Sequence, residues 1–465
     1  MKQKNYIILL LASFIMFSSC KKELDLQPTD SFNEANAFLS MEDIQKGVYG
    51  AYARYGAYAN NMYVSALISD EAKLGANNAG QGALTYRYQY ASDNTSGGDV
   101  IGAWGSYYSL IDQVNRVLPK IGTVTATAAE EPKRNIFKGE LLGLRAIAHF
   151  GLLQSYCKKY SASDPLGVPV MLSSNPLGKP ARNSMGEVMN RIETDLAEAK
   201  TLLPAVTAAT FTDTALNRIS IAAYQARIAL YKGDYDAALT YSTEVISSNV
   251  KQLVTGAGFA GIWTDQNTNE LLFRIKYTTS TAIGGLWTTT GGAIYIAPSD
   301  KLVAAYAAND IRKAIYIGTT GGNNYVNKFF TSSRGGRIVD MKAARIAEMY
   351  LIRAEANARK ATPIITAGAA DLNALRAQRI TGYVDEVFAT ATDLYNAVMA
   401  ERYKELAFEG FRFFDLKRNG LPVQRSATDA NAAWQTLSAS SPKFVLPIPN
   451  TEILVNPNMV QNESY

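Results

Sequence analysis

"ERYKELAFEGFRFFDLKRNG", residues 401–420, places nine charged and five aromatic residues in twenty positions. Glu401, Glu405 and Glu409 recur at i, i+4 and i+8. Such a row is either a catalytic carboxylate set or part of a scaffold. Tyr395, Met399, Tyr403, Leu406 and Gly410 form an apolar stripe beside it, which predicts a helix from Asp393 to about Gly410. Lys404 stands three after Glu401, Glu405 three after Arg402, and Arg412 three after Glu409, all ion-pair spacings. Glycoside hydrolysis needs two carboxyl groups flanking the scissile bond, one of them kept protonated. Parallel glutamates beside cations lose protons more easily instead. The stretch therefore predicts a structural ion-pair network.

The rest of the chain narrows the function classes. Its 465 residues are 47% apolar and 19% charged, a globular balance, with a net charge of +5. No dense Lys/Arg block exists, which argues against nucleic acid as a partner. The N-terminus carries Lys2 and Lys4, an apolar run from Tyr6 to Phe17, then Ser18-Ser19-Cys20. This reads as a signal peptide over residues 1–19. Its end resembles a bacterial lipobox, with Cys20 as the lipid anchor. Only Cys157 then remains as a thiol, so no intrachain disulfide is expected. His149 is the sole histidine. It lies eight residues before Cys157, roughly 12 Å along one predicted helix. Zinc sites of the Cys/His kind, Cys–His pairs and Ser-His-Asp triads all become improbable, and no metal or cofactor is expected.

Three segments share an apolar residue, an Arg and a small-residue-rich run: Leu144-Arg145-Ala146, Ala226-Arg227-Ile228 and Ile352-Arg353-Ala354. Each precedes another helical candidate, and Gly233-Asp234 marks a tight turn between two of them. The pattern is that of tetratricopeptide-like helix pairs at irregular spacing. Residues 33–59 read as helical, residues 60–98 as loop-rich, and the segment around Trp104, Tyr108, Ile111 and Val114 as helical again. The helical period disappears over residues 251–337, apart from a strand at Glu270–Tyr277. "GAGFAG" (256–261) fits a dinucleotide fingerprint literally, but no helix is expected after it. "DQNTNE" (265–270) lacks the Gly and Glu of a calcium loop and reads as a turn. The C-terminal tail reads as an extended strap.

Several stretches, in order, resemble the SusD/RagB family, surface lipoproteins of Bacteroidetes nutrient-uptake systems. They are "CKKELDLQPTDSF", "AWGSYYSLIDQVNRVL", "GELLGLRAIAHFGLLQSYC", "IAPSDKLVAAYAANDIRK", "AEMYLIRAEANAR", the opening stretch and "LPIPNTEILVNPNMVQNESY". The resemblance implies a mostly α fold of irregular tetratricopeptide-like pairs, with a loop-rich face carrying short β elements. It implies a helical half over residues 20–250 and a second half over 251–465, whose loop-rich insert (251–337) packs into the same globule. It further implies a glycan ligand, no enzymatic activity, an outer-membrane location and a SusC-like TonB-dependent transporter as partner. A peptide-binding member of the family and a carboxylate-dependent surface hydrolase are the alternatives.

A sugar site needs flat aromatics beside hydrogen-bonding side chains. "LTYRYQYASDN" would put Tyr86, Tyr88 and Tyr90 on one face if extended, with Asn94 close by. Trp287, set among glycines and threonines, is the expected exposed anchor, with Tyr295 on its flank. Trp104 is expected in the core.

Overall fold

The computed structural model describes residues 37–279, 282–288 and 291–465. The predicted signal peptide and Cys20 lie outside the described residues. Helices dominate: Asn94–Val117, Glu131–Tyr156, Met185–Leu202, Arg218–Lys232, Tyr235–Ser247, Ile346–Arg359 and Ile365–Ala377 form a stacked series. The three predicted pairs are all present. Their boundaries follow local chemistry. Ser184 and Glu187 cap one helix reciprocally, as Asn217 and Ser220 do another. Gly233 closes its helix at φ 85°, and Asp234 immediately caps the next. Small residues permit close approach: a Cβ at Gly151 would sit 2.3 Å from the Tyr107 ring.

The arginine repeated in the three segments has one task throughout. Arg145 grips Asp195 with two bonds of 2.8 Å. Arg353 grips Asp371 at 2.8 and 2.6 Å, and Arg227 grips Glu348 at 2.7 and 2.6 Å. Each fork crosses from one helix to another. The sequence repeat is thus a repeat of interhelical bidentate ion pairs.

Two sequence expectations change. Residues 60–98 are not all loop, since Ala57–Ile68 is a helix. Its Asn61, Met62, Val64, Ser65, Leu67 and Ile68 are all buried. A helix covered on all sides shows no amphipathic period, which hid it. Residues 251–337 also contain helices, at Gly256–Trp263, Asp300–Ala305 and Ile311–Tyr316. These are too short to show a period. "GAGFAG" begins the first of them and has no strand before it. The predicted strand appears as Leu271–Ile275, antiparallel to Met341–Arg345. The tail is a strap with one short helix, Asn450–Val455. Asn462 ties it down by donating to the carbonyls of Tyr156 and Leu446, both at 2.8 Å.

The opening stretch lies at the centre of the molecule. Its helix spans Ala391–Glu405 and stops short of the predicted Gly410. Phe408 (φ 64°) and Gly410 (φ 87°) turn the chain back, the latter close against Met62. Glu401, Glu405 and Glu409 are buried. Their partners are mostly not the ones helical spacing suggested. Only Lys404–Glu401, at 3.0 Å, is such a pair. Arg402 turns to Asp415 and Arg412 to Asp70. Glu405 meets Arg312, Arg345 and Arg379, each at 3.0 Å. Glu409 meets Arg345 and Lys328, both at 2.7 Å. Glu270, the last residue before the strand Leu271–Ile275, joins through Arg379 at 2.8 Å.

Candidate functional site

Burial alone would raise the pKa of all three glutamates, but the surrounding guanidinium and ammonium charges outweigh it. Glu401, Glu405 and Glu409 are held below the usual carboxylate range. A carboxylate that stays ionised, is closed off from solvent and is saturated with arginine cannot act as a general acid. His149 is equally closed. Its Nδ1 lies 3.0 Å from the Arg145 carbonyl, and its Nε2 accepts from the Met171 amide at 3.3 Å. Burial lowers its pKa to about 3, so it is a neutral core residue. Cys157 is buried and free. No group of side chains with metal-ligand spacing occurs among the described residues.

The second loop region singled out in the sequence is met by the segment that precedes the first, not by the first itself. Ala72–Leu74 pairs antiparallel with Ile296–Pro298, which lays loop 75–82 beside residues 294–295. The Gly75 amide donates to the Tyr295 carbonyl at 2.8 Å, and Asn78 Nδ2 does so at 2.9 Å. Tyr295 is half-buried at this junction, and Asn94 is exposed at the start of its helix.

The other expected contacts are corrected. Trp287 is 1% exposed, wedged against Tyr63, Phe329 and Phe408 with ring centroids 5.5–6.4 Å apart. It is a core residue, and its ring offers no surface to a ligand. Of the glycines near it, Gly284 is packed tightly, since a Cβ there would meet the Arg337 backbone at 2.6 Å. Tyr86, Tyr88 and Tyr90 do not share an extended face. Ala83–Tyr86 is a helical turn, and Tyr88 has φ 60°. Tyr86 and Tyr90 are buried, and their hydroxyls donate to the carbonyls of Asp429 and Lys443. The Arg425 guanidinium lies 3.8 Å from the Tyr86 ring and 4.6 Å from the Tyr88 ring. These tyrosines clamp residues 425–443 onto the frame. Trp104 is buried as expected, 5.0 Å from Tyr108 and 5.1 Å from Tyr156.

The clamp creates a feature the sequence reading missed. Of the four tryptophans, Trp434 alone is not buried. It sits on the segment the tyrosines hold, with the Arg87 guanidinium 4.9 Å from its ring. Arg87 is the residue between Tyr86 and Tyr88. Arg425 fixes the turn by donating to the carbonyls of Tyr86 and Trp434 at 2.7 and 3.0 Å. A half-exposed indole beside a guanidinium offers an apolar plate and directed donors together. The available signal was compositional: "ANAAWQT" surrounds a large aromatic with alanines and uncharged polar residues.

Two family descriptions match this chain. The one described as "SusD family" covers residues 299–465, and the one described as "Starch-binding associating with outer membrane" covers residues 22–230. The chain belongs to the SusD/RagB family. Among curated proteins it is similar to two SusD-like proteins of Formosa agariphila. SusD-like protein P38 is 25% identical over 269 residues, 55% of this chain and 48% of that protein, so the aligned part spans about half its length. SusD-like protein P2 is 23% identical, with 99% of both chains covered. Among solved structures, a SusD superfamily protein of Bacteroides thetaiotaomicron aligns with TM-score 0.81 at 23% identity, covering 91% of this chain and 100% of that one. A putative sugar binding protein of Bacteroides vulgatus gives 0.81 at 24% identity, with 92% and 99% covered. A laminarin binding SusD-like protein gives 0.70 at 20% identity, with 92% and 100% covered. These likenesses show that the fold is the SusD fold. The SusD/RagB matches contain the glutamate cluster, the tyrosine clamp and Trp434. Residues 231–298, which lie outside both, hold Trp287 and Tyr295.

Proposed function

We propose that this protein is a lipid-anchored, non-catalytic binding protein of the outer membrane, which captures a glycan and delivers it to a SusC-like TonB-dependent transporter. The observation that carries the reading is the Trp434–Arg87 pair on the loop face, in a family one of whose matching descriptions is starch-binding. Sugar rings present apolar C–H faces and hydroxyl edges, and an indole beside a guanidinium serves both. Tyr295, Asn78 and Asn94 are the further contacts we propose on the same loop-rich side. The locked state of Glu401, Glu405 and Glu409 supports binding without turnover. Cys20 is the proposed anchor.

A panel of neutral and acidic oligosaccharides, titrated calorimetrically and then analysed for products, tests the reading. Saturable binding of at least one saccharide with no product is expected. Product formation supports a hydrolase instead, and binding of peptides alone supports the peptide-binding alternative. Cys20→Ala is expected to release the protein from the membrane fraction. Retention of the variant after washing contradicts anchoring through this residue.

A further inference from the structure

A second, chemically different cleft lies where the strap crosses the end of the long helix Glu131–Tyr156. It has a volume of about 290 Å³ and is lined by Lys158, Lys159, Lys417, Ser440 and Ser441, among others. An adjoining cleft of about 260 Å³ shares Lys158, Pro442, Val445 and Glu463 with it. Three lysines therefore line one concavity, with Glu463 as its single acidic residue. That carboxylate, Glu463, lies 3.6 Å from Lys158, and both side chains are well exposed.

Lys417 is the informative member. It is 4% exposed. Its Nζ donates to the Gln154 carbonyl at 2.8 Å, and no carboxylate pairs with it among the described residues. The buried cations of the central cluster, Arg312, Arg345, Arg379 and Lys328, all have carboxylate partners. An ammonium group taken out of water without a counter-charge is strongly disfavoured unless an anion arrives or the proton leaves. Lys159 adds to the demand, since its Nζ stands 4.0 Å from the Cβ position of Gly420, beside the cleft. Both lysines occur at the C-terminal end of the helix Arg412–Asn419, where the helix dipole favours cations but supplies no full counter-charge.

We propose that this cleft is an oxyanion site, in which Lys417, Lys158 and Lys159 hold one sulfate, phosphate or carboxylate group, either free or pendant from a sugar. The site is distinct from the Trp434 face and does not depend on it. Burial lowers the Lys417 pKa to about 7. The titratable group that acts on it directly is Cys157, whose thiol burial pushes up to about 11, while Lys158, Lys159 and Glu463 line the same cleft. The arriving anion raises the affinity of Lys417 for a proton, so binding above neutral pH takes one up from the buffer.

The test is calorimetric titration of the protein at pH 7.5 with sodium sulfate, sodium phosphate and glucuronate, with glucose as the neutral control. Each titration is run in two buffers of different ionisation enthalpy. Saturable binding of an anion but not of glucose is expected, with a buffer-dependent heat that reports proton uptake. Glucuronate binding without sulfate or phosphate binding identifies a sugar carboxylate as the group held; sulfate or phosphate binding without glucuronate identifies a tetrahedral oxyanion, and weaker binding of a sulfated or phosphorylated monosaccharide than of the inorganic ion then identifies the free ion. Lys417→Gln is expected to abolish the proton uptake and to weaken binding by about tenfold or more. The double variant Lys158→Ala/Lys159→Ala alters only exposed side chains and is expected to weaken binding while melting normally, so it decides the matter if Lys417→Gln fails to fold. The absence of saturable binding for all three anions overturns the proposal. So does binding that is unchanged in the double variant.

Discussion

Glu405 shows how one residue type reads differently by context. In the sequence it belongs to a row of three, which could be catalytic. In the fold it is the hub of three arginines. Removing one partner of a buried ion cluster leaves the others uncompensated. Glu405→Gln is therefore expected to destabilise the protein by roughly 3–5 kcal/mol in urea denaturation, with saccharide affinity of the folded protein unchanged. The sign of the pH dependence follows from the depressed pKa of Glu405. Its stabilisation is fully present above the ordinary carboxylate value of 4.5 and is lost as pH falls through the lower folded value. Wild type is expected to lose stability progressively in acid, and Glu405→Gln to lose less over the same range. An equal acid slope in both proteins contradicts this assignment. Trp287 makes the opposite point. Glycine and threonine neighbours suggested an open loop, but burial is a property of the tertiary fold and is not written in the flanking residues. Trp287→Ala is expected to cost about 3–5 kcal/mol through the cavity it leaves, measured by the same denaturation. An unchanged melting temperature contradicts its place in the core.

At the scale of elements, the sequence was most legible where periodicity and turn chemistry agree. The three arginine-bearing helices and their partners were visible from their apolar spacing, helped in three of them by side-chain caps at Ser184, Asn217 and Asp234. The pairing of Gly233 with Asp234 was readable for the same reason. Ala57–Ile68 was invisible because a helix buried on every side has no polar face to mark it. The short helices of residues 251–337 were invisible because one or two turns do not establish a period. Local spacing also misled over the ion pairs, since the strongest partners of Glu405 lie at Arg312, Arg345 and Arg379, on other elements. What was not visible at all was the task of the repeated arginine. Its carboxylate partner sits 50 positions away for Arg145 and 121 for Arg227. Asp195→Ala should expose that task. It leaves Arg145 buried and also removes a contact of Arg191. A loss of about 3 kcal/mol or more is expected, while a change below about 0.5 kcal/mol, the range of ordinary surface substitutions, contradicts a bidentate tie between these helices.

For the molecule as a whole, the frame and the proposed binding face follow different rules. The frame is fixed by buried arginine–carboxylate forks and capped helix pairs, and these leave a trace in the sequence. The face is assembled from chain segments far apart in sequence: residues 72–95, residues 294–298 and residues 425–437. The Tyr86–Tyr90 segment was expected to display its own rings, whereas in the fold it holds the segment that carries Trp434. That division of labour between clamp and plate depends on a contact across more than 300 positions, between Tyr86 and Asp429. The central claim is that Trp434, partly exposed on the segment the tyrosines hold, is the stacking plate of a glycan site on an otherwise locked scaffold. The most direct measurement is calorimetric titration of wild type and Trp434→Ala with the saccharide that binds wild type, beside thermal melts of both. The account predicts that Trp434→Ala melts like wild type and binds at least about tenfold more weakly, about 1.4 kcal/mol. Equal affinity in the two proteins, or a loss of binding that merely accompanies a collapse in melting temperature, would contradict it.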